Sequence, residues 1–241
     1  MSNRTRRTLV TATALIGLMT GLFGTAHGQV VLSTPAGLNP GDTFRFIFVT
    51  TGTTDATSSN IATYDAFVNT DAAGAKYNGV AVNWQVVGST STVDAITHLG
   101  TNAGLAGVYL PNGTRVATSD GTSAGGLWAS TLQHSVNQLI NGSPPSILQP
   151  WTGTQPNGVK STFSLGLALA KVGNVNVVDG GWVSFVNLSN TQAHPLYAMS
   201  EVLQVSTAAV PEPSPALLSV LVASAALVAR RRRIGNIFKY Q

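Results

Sequence analysis

Two apolar segments flanked by arginines lie at the ends of this 241-residue chain. The first covers residues 9–23 and follows three arginines, and the second covers residues 216–229 and precedes four. The second segment contains only two serines and has no polar face, so it lacks the pattern of a helix that packs against a protein core. The globular part of the chain is therefore expected between the two segments, over residues 29–209.

The N-terminal segment has the three parts of a secretory signal peptide: a basic start, a short apolar stretch and small residues before a cleavage point. Small residues precede a cleavage point between Gly28 and Gln29, and a second point lies before His27. We predict that residues 1–28 direct the chain to the secretion translocon and are removed by signal peptidase. A retained anchor or a first core helix is the alternative.

The C-terminal segment is flanked on both sides by distinctive residues. Pro211, Glu212 and Pro213 precede the apolar run, and the run is followed by Arg230, Arg231, Arg232 and Arg233. At 1.5 Å per residue, 14–16 helical residues span about 21–24 Å, which is less than the ~30 Å hydrocarbon core of a bilayer. The long arginine side chains can extend to the membrane surface and make up part of this shortfall. We expect a membrane helix over about 215–229 and a cytoplasmic tail over 234–241, with the domain outside.

This order of features resembles a PEP-CTERM sorting signal over residues 210–233. The resemblance implies processing by an exosortase, a membrane transpeptidase-like protease that cuts near the Pro-Glu-Pro motif. It also implies a Gram-negative-type bacterium that makes extracellular polysaccharide. Residues 234–241 depart from the pattern, because many such tails end sooner. A plain single-pass anchor is the alternative.

The charge of the middle argues against nucleic acid as a partner. The chain carries a net charge of +4, but residues 29–209 contain only five basic side chains against eight acidic ones. Binding to nucleic acid needs a basic face on the folded domain. The chain has no cysteine, which excludes thiolate metal sites, a cysteine nucleophile and attachment of lipid to an N-terminal cysteine.

The hydrophobic pattern of residues 29–209 predicts one α+β domain with a mostly antiparallel sheet, one or two helices and long loops. One helix is expected to begin at Ser58 or Ser59 and end at Gly74, and another covers 132–140. Asn112-Gly113 indicates a hairpin, and residues 88–106 a long loop. Further strands are expected over 43–50, 80–86, 163–169, 182–186 and 197–205.

Four short pieces of the middle, 46–50, 84–89, 151–154 and 196–201, resemble the C-type-lectin-like/endostatin group. The resemblance implies that the first and last strands pair and that the ends of the domain lie close together. A β-sandwich is the alternative fold.

The same resemblance points to a candidate sugar site. Gln155-Pro156-Asn157 is similar to the tripeptide by which calcium-dependent lectins hold Ca²⁺ and a sugar, and Trp151 precedes it. Calcium takes six to eight oxygen ligands, yet the nearest acid in sequence is Asp179. The alternative is that Gln155, Pro156 and Asn157 form a simple turn. The four tryptophans are expected in the core, with stacking on sugars as the alternative.

The sequence contains no recognisable catalytic constellation. Its histidines are far apart, and Glu201 is the one glutamate of residues 29–209. No serine-hydrolase elbow, phosphate-binding loop or paired carboxylates stand out. We therefore predict a non-enzymatic surface or extracellular-matrix protein without cofactor or metal, associated with exopolysaccharide. The alternatives are a carbohydrate-binding lectin-like module and an unrecognised hydrolase.

Overall fold

The computed structural model describes residues 29–129 and 131–207. Gly28, the motif from Pro211 to Pro213 and the four arginines lie outside them, as do the predicted signal peptide and membrane helix. Within the described ranges no helix is both long enough and apolar enough to cross a bilayer. The helices and strands, in chain order, are β1 Val31–Leu32, β2 Thr43–Val49, α1 Ile61–Asp71, β3 Lys76–Tyr77, β4 Val80–Ala81, β5 Trp84–Val86, α2 Ala95–His98, β6 Gly107–Tyr109, β7 Arg115–Ala117, β8 Leu169–Val172, β9 Val186–Ser189, β10 Tyr197–Ser200 and β11 Leu203–Gln204.

The largest sheet has the strand order β5-β10-β2-β6-β7, and β11 also pairs with β2. The pairing of β2 with β6 is parallel, and the other pairings in this sheet are antiparallel. Two smaller sheets contain β1-β3-β4 and β8-β9. Residues 29–129 and 131–207 contain two α-helices and mostly sheet, with no barrel, so the predicted α+β class is confirmed.

Strand β2 lies at the centre because its sequence suits burial on both faces. Aromatic and β-branched residues favour strands, and six of the seven residues of β2 are buried. Phe44, Phe46 and Phe48 enter one hydrophobic core, whereas Ile47 and Val49 enter another on the opposite face. The large sheet is thus covered on both sides, and the strand expected over 43–50 is confirmed.

Helix α1 protects the exposed edge of β5. Its Asn69 side chain accepts the N–H of Trp84 at 3.0 Å and donates to the carbonyl of Trp84 at 2.6 Å. One turn earlier, Asp65 accepts the N–H of Val86 at 2.9 Å. These two side chains take the place of a neighbouring strand, so β5 has fewer free backbone groups for pairing with another chain.

The two ends of the domain meet beside the β3–β4 hairpin, a region that we call the pole. The carbonyl of Val30 accepts the N–H of Lys76 at 2.9 Å, which sets β1 beside β3. Two residues after Lys76, the amide of Asn78 donates to the hydroxyl of Ser206 at 2.9 Å. The last strands β10 and β11 both pair with β2. The expected pairing of the first and last long strands is confirmed, and so is the closeness of the ends.

Several predicted segments differ in the structure. Residues 132–140 form no helix; they run along the sheet, where the carbonyl of Gln138 accepts the N–H of Val49 at 2.8 Å. The N-cap of α1 is Asn60, which accepts the N–H of Ala62, instead of Ser58 or Ser59. That helix ends at Asp71, before Gly74. The strand expected over 80–86 is divided into β4 and β5, and the loop expected over 88–106 contains α2. The strands expected over 163–169 and 182–186 lie later in the chain, as β8 and β9.

The hydroxyl of Tyr64 in α1 has a raised pKa because the side chain is buried. Burial raises the pKa of Tyr64 from 10.0 to about 12, and the hydroxyl donates to the carbonyl of Ser58 at 2.8 Å. In the unfolded chain the phenol ionises near pH 10, so the folded state loses stability as the pH rises from about 10 to about 12. We expect Tyr64→Phe to flatten this part of the dependence in urea unfolding measured against pH. An equally steep fall in the variant would contradict the assignment.

Candidate functional site

The tryptophan proposed to stack on sugars is not available for stacking. Trp151 is 0% exposed, and its indole N–H donates to the carbonyl of Thr54 at 3.0 Å. The ring packs against the imidazole of His194 at an interplanar angle of 67°, with ring centres 5.0 Å apart. Trp84, Trp128 and Trp182 are also buried. The prediction that the tryptophans belong to the core is confirmed, and a stacking role for Trp151 is wrong.

The Gln155–Asn157 segment forms a tight turn. The N–H of Gln155 donates to the carbonyl of Val159 at 2.8 Å, and the N–H of Gly158 donates back to the carbonyl of Gln155 at 2.9 Å. The side chain of Asn157 accepts the N–H of Val159 at 3.3 Å. Gly158 adopts φ +81°, a conformation that favours glycine. The polar side chain oxygen of Asn157 therefore holds the turn together.

The structure brings Asp179 beside this turn without completing a calcium site. Gly180, the neighbour of Asp179, packs so closely on Pro156 that a Cβ on the glycine would lie 2.8 Å from the proline ring. The carboxylate of Asp179 instead accepts the N–H of Gly181 at 2.9 Å. Among the described residues no group of three or more His, Asp or Glu side chains is placed to hold a metal ion.

Each histidine of the described ranges serves a local contact. His98 lies 2.9 Å from Asp65 and joins α2 to α1. His134 contacts the carbonyl of Arg115, and His194 contacts the carbonyl of Gln149, both at 2.8 Å. The three imidazoles therefore belong to three separate hydrogen-bonded groups.

The acidic side chains share a structural task that the sequence does not reveal. All eight carboxylates of residues 29–207 accept a backbone N–H, at distances between 2.7 and 3.3 Å. Two hydrogen bonds from Thr57 lower the pKa of Asp55 below its ordinary value. The acceptors are Asp42, Asp55, Asp65, Asp71, Asp94, Asp120, Asp179 and Glu201. In a chain without cysteine, these charge-assisted bonds hold loops and strand edges in place.

The pole at which the two ends meet is the strongest candidate for a functional region. Its hairpin between β3 and β4 turns at Asn78 and Gly79, both with positive φ as two-residue hairpin turns require. A cavity of about 280 Å³ lies against this hairpin and the last strand. Val80 and Val202 leave 70% and 47% of their surface exposed there. Both routes out of the domain, before residue 29 and after residue 207, start at this pole.

No protein-family model matches the chain, and a search of the curated proteins finds none that is significantly similar. Function must therefore be inferred from the residues and their geometry.

Proposed function

We propose that this chain is an exported, non-enzymatic surface or extracellular-matrix protein, sorted by an exosortase through its PEP-CTERM tail and associated with exopolysaccharide. The observation that carries the proposal is the meeting of the two ends of the described domain at one pole. The N-terminal side contributes Val30 and the C-terminal side contributes Ser206, and both bind the β3–β4 hairpin. A domain built this way can be attached to the cell surface at one side, which leaves the rest of its surface exposed.

The arrangement of carboxylates supports a non-enzymatic role. A glycoside hydrolase needs two free carboxyl groups that face each other across the substrate. All eight carboxylates of residues 29–207 accept backbone N–H groups, so each already has a structural partner in the fold. The finer proposal for the fold is a C-type-lectin-like domain, supported by the pairing of β2 with the last strands.

Sorting is tested by changing the arginines of the tail in the native bacterium. We expect replacement of Arg230, Arg231, Arg232 and Arg233 by glutamine to leave the protein unprocessed in the inner membrane, because the cluster fixes the orientation of the helix. The matched control is Lys239→Gln, which removes one charge outside the cluster. Cell fractionation with an antibody to the folded domain measures the distribution. A wild-type protein that stays in the cytosol, or a glutamine variant that is sorted normally, would refute the proposal.

A further inference from the structure

Two turns of the same sequence type face each other across one open region of the surface. Leu110-Pro111-Asn112-Gly113-Thr114 and Leu139-Ile140-Asn141-Gly142-Ser143 share the pattern Leu-X-Asn-Gly-Thr/Ser. In both, the leucine N–H donates to the carbonyl of the last residue at 2.8 Å, and the glycine N–H donates to the leucine carbonyl at 2.9 Å. The turn over 155–159 has the same bonds, with the N–H of Gln155 in the place of the leucine N–H, but it does not line this region.

The two turns line adjoining clefts beside the start of the domain. A cleft of about 170 Å³ lies between both turns and residues 30–32, and one of about 350 Å³ continues along residues 33–36. Pro111 and Asn112 line both, so the two clefts adjoin at these residues. We call the pair the asparagine cleft. The larger part has the volume of a small-ligand site.

The lining of the asparagine cleft carries no charge. It contains none of the Asp, Glu, Lys, Arg or His side chains of the described residues. Apolar surface comes from Val31, which is 66% exposed, and from the half-buried Pro111. The side-chain oxygens of Asn112 and Asn141 accept the N–H groups of Thr114 and Ser143 at 2.9 and 3.0 Å.

The same two bonds fix both asparagine side chains and leave their NH₂ groups free. In the part of the chain that the structure describes, neither Nδ2 atom donates to another residue. Each free amide offers two N–H donors at a position that the turn already holds, so little conformational entropy is lost when a ligand accepts from them. The combination of uncharged amide donors and apolar surface suits a ligand that is itself uncharged, rich in hydroxyl groups and apolar on its C–H faces.

We propose that the asparagine cleft binds an uncharged oligosaccharide, with Asn112 and Asn141 as the hydrogen-bond donors to it. This inference rests on the proposed association with exopolysaccharide and names the site and the ligand class. It places the sugar away from the Gln155–Asn157 turn.

The test is calorimetric titration of the full-length chain in detergent. The uncharged probes are maltotetraose, cellotetraose, chitotetraose and the neutral exopolysaccharide of the host, freed of protein; tetragalacturonate is the charged probe. We expect binding of at least one uncharged probe and none of tetragalacturonate. Each of Asn112→Ala and Asn141→Ala should weaken binding about fivefold, the value for one net hydrogen bond. The matched control is Asn174→Ala, which loses an equivalent turn bond outside the cleft, donated by the N–H of Asn176 to the side-chain oxygen of Asn174 at 3.0 Å.

Any of the following results would overturn the proposal. Failure to bind any uncharged probe, equal binding of tetragalacturonate, or cleft variants that bind like wild type would remove the cleft as a sugar site. Loss of binding in Asn157→Ala alone would place the sugar at the 155–159 turn. A glycan covalently attached to Asn112 or Asn141, seen as added mass, would make these residues modification sites. A protein that is sorted normally but binds no probe refutes the cleft and leaves the proposed sorting intact.

Discussion

Replacing Trp151 with alanine is expected to lower the free energy of unfolding by about 3–5 kcal/mol, the cost of removing a large buried aromatic ring. The ring is 0% exposed and lies in the core that also contains Phe48 and Leu196. Its backbone bridges Leu196 on one side and Val172 on the other. The loss therefore leaves a cavity at the junction between the large sheet and the β8-β9 ribbon.

Denaturant unfolding followed by circular dichroism measures the effect of Trp151→Ala. The matched control is Phe185→Ala, because Phe185 is an aromatic residue with 45% of its surface exposed. That substitution should change the free energy of unfolding by less, since nearly half of the Phe185 surface is already in contact with water. If Trp151→Ala kept wild-type stability and lost binding to a saccharide instead, the ring would be a binding surface and the structural assignment would be wrong.

The second large effect is expected at the buried ion pair between Arg45 and Asp120. The Nε atom of Arg45 lies 2.8 Å from a carboxylate oxygen of Asp120, and the two side chains are only 6% and 4% exposed. The contact is an ion pair between two buried groups, and Asp120 is the only partner of Arg45 Nε among the described residues. Burial lowers the pKa of Arg45, and the charge of Asp120 opposes that shift.

We expect Arg45→Met to lower the free energy of unfolding by about 3–5 kcal/mol, because it leaves the Asp120 carboxylate buried without a counter-charge. The carbonyl of Ser200 also loses the bond from Arg45, which is 3.1 Å long. The double variant Arg45→Met, Asp120→Asn should recover part of the loss, because no buried charge remains. Urea unfolding of the single and double variants measures the coupling. A double variant less stable than Arg45→Met would contradict this explanation.

The sequence predicts the parts of the fold that follow from local pattern. The apolar run of β2 requires burial on both faces, and Asn112-Gly113 requires a tight turn, so both are correctly placed. The α+β class follows from the order of such segments.

The errors arise where tertiary contacts override the pattern. Leu132, Val136 and Ile140 have helical spacing and are buried as expected, but the backbone of this segment bonds to β2 and β7 instead of to itself. The alternating apolar residues of 163–169 predict a strand there, yet Leu167 is 40% exposed and the β8-β9 ribbon begins at Leu169. Spacing alone does not reveal which neighbour supplies the hydrogen bonds.

The candidate site shows the same difference between what local sequence predicts and what depends on tertiary contacts. Trp151 lies buried because the chain brings Thr54 and His194 around it, and both are far from it in sequence. The grouping of carboxylates with backbone N–H groups is likewise invisible without the fold. The repeated Leu-X-Asn-Gly-Thr/Ser pattern at 110–114 and 139–143 is readable in the sequence. Only the fold shows that the two turns line one depression.

The central claim is that the arginine-flanked ends of the chain direct its export and sorting, while residues 29–207 fold outside the cytoplasm. Mass spectrometry of both termini of the protein isolated from its own bacterium tests it most directly. The account predicts a mature chain that begins at Gln29 and ends near Pro211-Glu212-Pro213, without Arg230–Arg233. A surface protein that retains its first methionine and the four arginines would contradict it.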